Sequence, residues 1–150
     1  MDRVPQLLQF TLDEQRYALP LFVVERIVRA AEITPLPKVP EIVLGVLNVH
    51  GAVIPAVNIR KRFNITEQEI GISDQLIIAR TKRRMVALPV DAVLGVLEYP
   101  EELIVKAEQI VPHLDYVQGV LKLDDGLVLI HDLDTFLSLD EHLTLDEAMK

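Results

Sequence analysis

The chain has no cysteine, which excludes a disulfide framework, thiol catalysis and any cysteine-based metal site, and it suits a reducing, cytoplasmic setting. It has no surplus of positive charge either. Fifteen Lys and Arg stand against 23 Asp and Glu, for a net charge of −8. This argues against nucleic acid and anionic membrane, both polyanions, as main partners, and the electrostatics favour protein partners or solubility alone. Met1 to Gln6 lacks the basic start and apolar run of a secretory signal. The stretch Ile42–Ile59 carries no formal charge, but Asn48, His50, Gly51, Pro55 and Asn58 interrupt it, and it reads as two strands joined by a turn at His50-Gly51.

Catalytic strings are missing as well. There is no phosphate loop, no dinucleotide glycine fingerprint and no nucleophile elbow. The four histidines, His50, His113, His131 and His142, form no pair at i, i+3 or i+4, so no metal site and no cofactor is expected. Asp124-Asp125 and Glu101-Glu102 are adjacent carboxylates whose side chains diverge on a strand; Asp124-Asp125-Gly126 is read as a solvated turn. The basic run Thr81-Lys82-Arg83-Arg84 is read as a solvated hairpin tip that guards an apolar strand against aggregation.

What is present is a sequence stated twice. Gly45-Val46-Leu47 through Ile59 returns as Gly119-Val120-Leu121 through Leu133, and Ala18-Leu19-Pro20 returns as Ala87-Leu88-Pro89. Residue 119 is 74 beyond 45, and 87 is 69 beyond 18, so two similar halves follow head to tail. The match lies in apolar pattern, while Asn48/Lys122 and His50/Asp124 differ; a folding instruction recurs, not an active site. At 150 residues and 50% hydrophobic the chain makes one ordinary domain, and each half is too small to stand securely alone.

Along the first half, Leu7–Leu12 and Tyr17–Pro20 predict a hairpin around Asp13-Glu14-Gln15. Phe22, Val23, Val24, Ile27 and Val28 recur at helical spacing and predict a short amphipathic turn or helix, repeated over Asp91–Val96. The prolines of Thr34–Pro40 impose an extended crossover. Gly45–Val49 and Ala52–Val57 are strands, and Ile59–Phe63 a short helix. Asn64–Ser73 is the expected joint. In the second half, Gln75–Ala79, Met85–Pro89, Gly119–Leu123 and Leu127–His131 are strands, and Leu133, Phe136 and Leu137 fall on one helical face. Ser138-x-x-Glu141 and Thr144-x-x-Glu147 both match a capping box, predicting separately capped turns in the tail.

Phe10–Pro20, Pro35-Leu-Pro37, Val43–Arg60 and the second Gly119-Val-Leu with Leu127-Val-Leu-Ile, in this order and spacing, resemble the CheW family of bacterial chemotaxis adaptors over about residues 7–137. The resemblance implies a mainly β fold: two similar five-stranded, barrel-like subdomains, approximate halves 7–64 and 74–137, with short helices and a C-terminal helical tail, 138–150. It implies a cytoplasmic, non-enzymatic adaptor that joins the regulatory domain of a CheA-like histidine kinase to the cytoplasmic tip of a methyl-accepting receptor. A barrel end would meet the kinase, and a groove with Val24 on its side and Arg26 nearby would take the receptor.

Three polar positions depart from the family pattern. The usual Asn-Leu-Arg-Gly is Asn48-Val49-His50-Gly51, exchanging a permanent guanidinium for an imidazole. An acidic residue two after Val24 is Arg26, and an aspartate near the end of the next strand is Asn58. The expected partner-binding set is therefore Val24, Arg26, Asn48, His50, Gly51 and Asn58. Two other readings stand beside it: a divergent adaptor without standard receptor recognition, serving another two-component or motility pathway, and a small-ligand enzyme using the inter-barrel cleft with His50 or His131.

Overall fold

A computed structural model describes residues 4–29, 32–65, 75–110 and 115–150; His113 and most of the expected joint lie outside them. In chain order the strands are β1 (Gln6–Leu12), β2 (Gln15–Pro20), β3 (Val24–Arg29), β4 (Val43–Val49), β5 (Ala52–Val57), β6 (Gln75–Arg80), β7 (Met85–Val90), β8 (Ala92–Glu98), β9 (Ile104–Lys106), β10 (Val117–Leu123) and β11 (Gly126–His131). Helix α1 is Ile59–Arg62 and α2 is Leu139–Ala148. They make a six-stranded sheet, order β8-β1-β2-β11-β10-β9, and a five-stranded sheet, order β3-β6-β7-β5-β4.

Neither sheet is one half of the sequence. Hairpin β1–β2 joins the later strands β8 to β11, and hairpin β6–β7 joins the earlier β3 to β5. The exchange is symmetrical down to single residues. In the parallel seams, Ile130 lies opposite Ala18 and Ala56 opposite Ala87; residue 130 is 74 beyond 56, and 87 is 69 beyond 18. The bulges match too. Glu25 is the extra residue between Val24 and Arg26 against β6, and Leu94, 69 further on, is its equivalent against β1. Leu44 and Gln118, 74 apart, bulge from β4 and β10.

Both exchanged hairpins are buried on two faces. Leu8, Phe10, Leu12, Ile77, Ala79, Val86 and Leu88 enter a core shared by the two sheets. Leu7 and Ala18 point into the six-stranded sheet's own cluster, and Leu76, Ile78 and Ala87 into that of the five-stranded sheet. The apolar runs Leu76–Ala79 and Val86–Val90 follow, since a strand covered on both sides has no solvent face to keep polar; β1 departs from this at Gln9, which is polar and buried.

The recurring glycines have a steric reason. Thr34 N–H donates to the Val46 carbonyl at 2.8 Å and Val46 N–H to the Thr34 carbonyl at 2.9 Å, so the chain leaving β3 closes onto β4. Gly45 (φ +149°) lies beneath it, where a Cβ would overlap the Thr34 carbonyl. In the other half β9 crosses β10 equivalently, with Val105 opposite Val120, and a Cβ on Gly119 would come within 2.8 Å of Ile104 Cγ2. The sixth strand beyond the expected five is this closing segment, long enough here to form a ladder.

Three local expectations are corrected. The helical spacing after Pro20 yields only a 3-10 turn, Leu21–Val23, before β3, and its repeat is strand β8. The bulges at Glu25 and Leu94 shift the strand alternation by one residue, which imitates a helical period in sequence. Leu133 opens another 3-10 turn, Leu133–Thr135. The tail is one helix: Ser138 and Glu141 form the capping box, whereas Thr144 lies inside α2 with its hydroxyl donating to the Asp140 carbonyl.

Candidate interaction surface

Of the six sequence-selected residues, Asn48, His50 and Gly51 come together. His50 (φ +50°) and Gly51 (φ +86°) give the two left-handed positions of a tight β4–β5 turn, and Asn48 Oδ1 accepts from Gly51 N–H at 2.8 Å. His50 is exposed at its tip. Asn58 lies at the opposite end of β5, roughly 20 Å away across a six-residue strand. Its Oδ1 accepts from Lys61 N–H to cap α1, and its N–H donates to the Ile42 carbonyl at 2.7 Å. Asn and Asp cap equally well, so an aspartate, which the resemblance leads one to expect here, would hold this end in the same way. The second half keeps the acid: Asp132, 74 beyond, caps the Leu133 turn.

Val24 and Arg26 hold successive register positions opposite Ala79 and Ile78, since the bulge removes Glu25 from the count. Val24 packs against the shared core, while Arg26 is exposed. Thus the six residues occupy three places: a hairpin tip, a helix cap and a bulged edge strand.

Sequence inspection passed over the polar ties between the hairpins and helices. The Arg60 guanidinium on α1, 8% exposed, pairs with Asp13 at 2.8 Å in the β1–β2 turn and with Asp91 at 2.5 Å after β7. The second half has a version with a backbone donor, in which Lys82 N–H donates to the Asp134 carboxylate; 134 is 74 beyond 60, and 82 is 69 beyond 13. The basic tip is only partly solvated. Lys82 and Arg83 face solvent, but Arg84 donates to His142 Nδ1 and to the His142 carbonyl, both at 3.2 Å, and pairs with Asp146. It thereby holds α2 down over the shared core, where Leu145 is fully buried.

His131 has no place in a cleft. Its ring stacks on Phe63 at 4.1 Å, with Tyr17 and Phe136 around it, and its Nδ1 meets the Tyr116 carbonyl at 3.1 Å. Burial pushes its pKa down to about 4, so it stays neutral. Arg62 lies over the Tyr116 ring and pairs with Glu141 at 2.6 Å. Burial acts to raise that carboxyl's pKa, but the hydrogen bond from Ser138 N–H and then the Arg62 guanidinium hold it below its ordinary range. Among the described residues no three His, Asp or Glu side chains converge as metal ligands. His50 and His131 lie in unrelated surroundings, one at an exposed tip and the other in an aromatic core, which gives the cleft-enzyme reading no constellation to use.

Twinned sheets that exchange hairpins and leave turn tips such as His50 exposed are the architecture to be matched with known proteins. The family model described as the CheW-like domain matches residues 6–141. The chain is 33% identical over 144 residues to the chemotaxis protein CheW of Thermotoga maritima, covering 96% of this chain and 93% of that one. It is 29% identical over 138 residues to that of Rhizobium meliloti, covering 91% and 89%. The crystal structure of the scaffolding protein TtCheW from Thermoanaerobacter tengcongensis superposes with a TM-score of 0.83 at 28% identity, covering 93% of this chain and 96% of that one. The chain belongs to the CheW-like family: it is an adaptor of chemotaxis signalling and not an enzyme.

Proposed function

We propose that this adaptor couples the regulatory domain of a CheA-like histidine kinase to the cytoplasmic tip of a methyl-accepting receptor, and that it does so in the cytoplasm. The observation that carries the reading is the family match along residues 6–141, on a fold that superposes over 93% of the chain with a scaffolding protein. The acidic net charge and the exposed hairpin tips agree with a protein partner. No helix among the described residues is long and apolar enough to cross a membrane. Val24, Arg26, Asn48, His50, Gly51 and Asn58 are the proposed partner-contacting set, with Asn58 acting through the α1 cap it holds.

Titration calorimetry with the cognate kinase regulatory domain, then with receptor cytoplasmic fragments, tests the reading. Binding to both is expected. Kinase binding without receptor binding would favour the divergent adaptor, and binding to neither partner would overturn the proposal. In that case of kinase binding alone, His50→Arg restores receptor binding if the hairpin tip is where recognition diverged.

A further inference from the structure

Phe22 is 89% exposed, an extreme value for a phenylalanine in a well-packed domain. It is held rigidly. Pro20 precedes it, and Val24 N–H donates to the Leu21 carbonyl, closing the 3-10 turn on which the ring stands. The fold does not require an aromatic there: the equivalent position in the other half, 69 further on, is Asp91, committed internally to Arg60.

Beside the ring opens a cavity of about 310 Å³ at the end of the six-stranded sheet. Pro5, Leu7, Pro20, Ile104 and Ile130 make its apolar wall, and Phe22 itself forms one lip. That volume is the size of a small binding pocket and larger than one phenyl ring needs. Glu101, Lys106 and Glu108 stand around its mouth, and none makes an ion pair among the described residues.

We infer that this face binds a second copy of the chain about a twofold axis, each Phe22 entering the other's cavity. The patch is self-complementary, as an isologous contact must be. It carries both the protruding ring and the hollow, and its rim carries both charges, so Lys106 of each copy meets Glu101 and Glu108 of the other. The two rings stack across the axis, giving a desolvated aromatic centre inside a polar rim. This goes beyond the adaptor reading and does not depend on it: self-association needs neither kinase nor receptor.

Sedimentation velocity on the purified full chain, from micromolar to millimolar, tests it. The weight-average mass is expected to rise from the monomer's 16.9 kDa toward twice that value. Phe22→Glu is expected to raise the dimer dissociation constant at least about tenfold, while its melting temperature stays with that of the parent because the side chain is exposed. Lys106→Glu alone and the Glu101→Lys/Glu108→Lys double variant alone are each expected to be monomeric, and mixing the two restores the dimer mass. A parent that stays at 16.9 kDa throughout overturns the proposal. So does a dimer indifferent to Phe22→Glu, or charge variants that fail to complement. If the parent is monomeric and Phe22→Glu instead abolishes binding of the kinase fragment, the cavity belongs to a different partner and the inference is wrong.

Discussion

His131 is a histidine at a position the fold treats as apolar: the repeat sets it opposite Val57, which is fully buried. That correspondence was available in the sequence, but a list of scattered histidines hides it. With Nδ1–H donating to the Tyr116 carbonyl, Nε2 is left buried with no partner. The Tyr116 carbonyl has a second donor, Asp132 N–H at 2.8 Å, so losing the imidazole would not orphan it. The unfolded chain takes up a proton near pH 6.5, whereas the folded ring does so only near 4. Protons are therefore bound preferentially by the unfolded state within that window, and stability falls as pH drops from 6.5 toward 4, by about 3 kcal/mol in total. His131→Leu, close in volume, is expected to be as stable as the parent at pH 7 and to remove that component of the acid sensitivity. Urea denaturation at pH 7, 5.5 and 4.5 checks it: a stability difference between parent and variant that does not change with pH rejects the account.

Elements were legible where one physical signal governed them. The β4–β5 and β10–β11 hairpins follow from apolar runs broken by His50-Gly51 and Asp124-Asp125-Gly126, turn residues able to take left-handed backbone. β3 and β8 were not legible, since a bulge is a tertiary adjustment to a neighbouring strand, and its one-residue slip makes an apolar alternation resemble a helix. For α2 the sequence gives two capping boxes of equal merit, and packing chooses between them. Leu145 must reach the shared core, so the helix runs through Thr144 and is clamped by Arg84 and by the Arg62–Glu141 pair. Arg84→Met keeps the aliphatic stem and removes every donor to α2. It is expected to cost about 2 kcal/mol, typical of losing partly buried hydrogen bonds from a charged group, and to accelerate amide exchange in 139–148 selectively. Arg83→Met, beside it but exposed, is expected to change stability by less than about 0.5 kcal/mol. Equal effects of the two variants would mean that the tip is merely solvated.

At the scale of the whole molecule the duplication was plain in the sequence, but its partition was not, because a repeat states which units are alike and leaves open which of them pair. Strands β1 and β2 bond to β8 and β11, and β6 and β7 to β3 and β5, so the long-range ladders cross from one half to the other. An isolated first half would keep only the β1–β2 and β4–β5 hairpins, and an isolated second half the β6–β7 hairpin and a β9-β10-β11 meander whose outer strand has three residues; without the other half's strands and core such small ladders are at best marginal in water. A chain cut between residues 70 and 71 is therefore expected to give two fragments that are each unfolded alone, with collapsed amide dispersion in NMR spectra. Mixed in equal amounts, they are expected to recover the intact spectrum, since β1–β2 of one and β6–β7 of the other supply the missing central strands. The exchange also ties the two sheets together through the shared core of Leu8, Phe10, Ile77 and Leu88. Were either fragment to give a dispersed spectrum on its own, the halves would be independent folding units, and the crossing ladders would be incidental to stability.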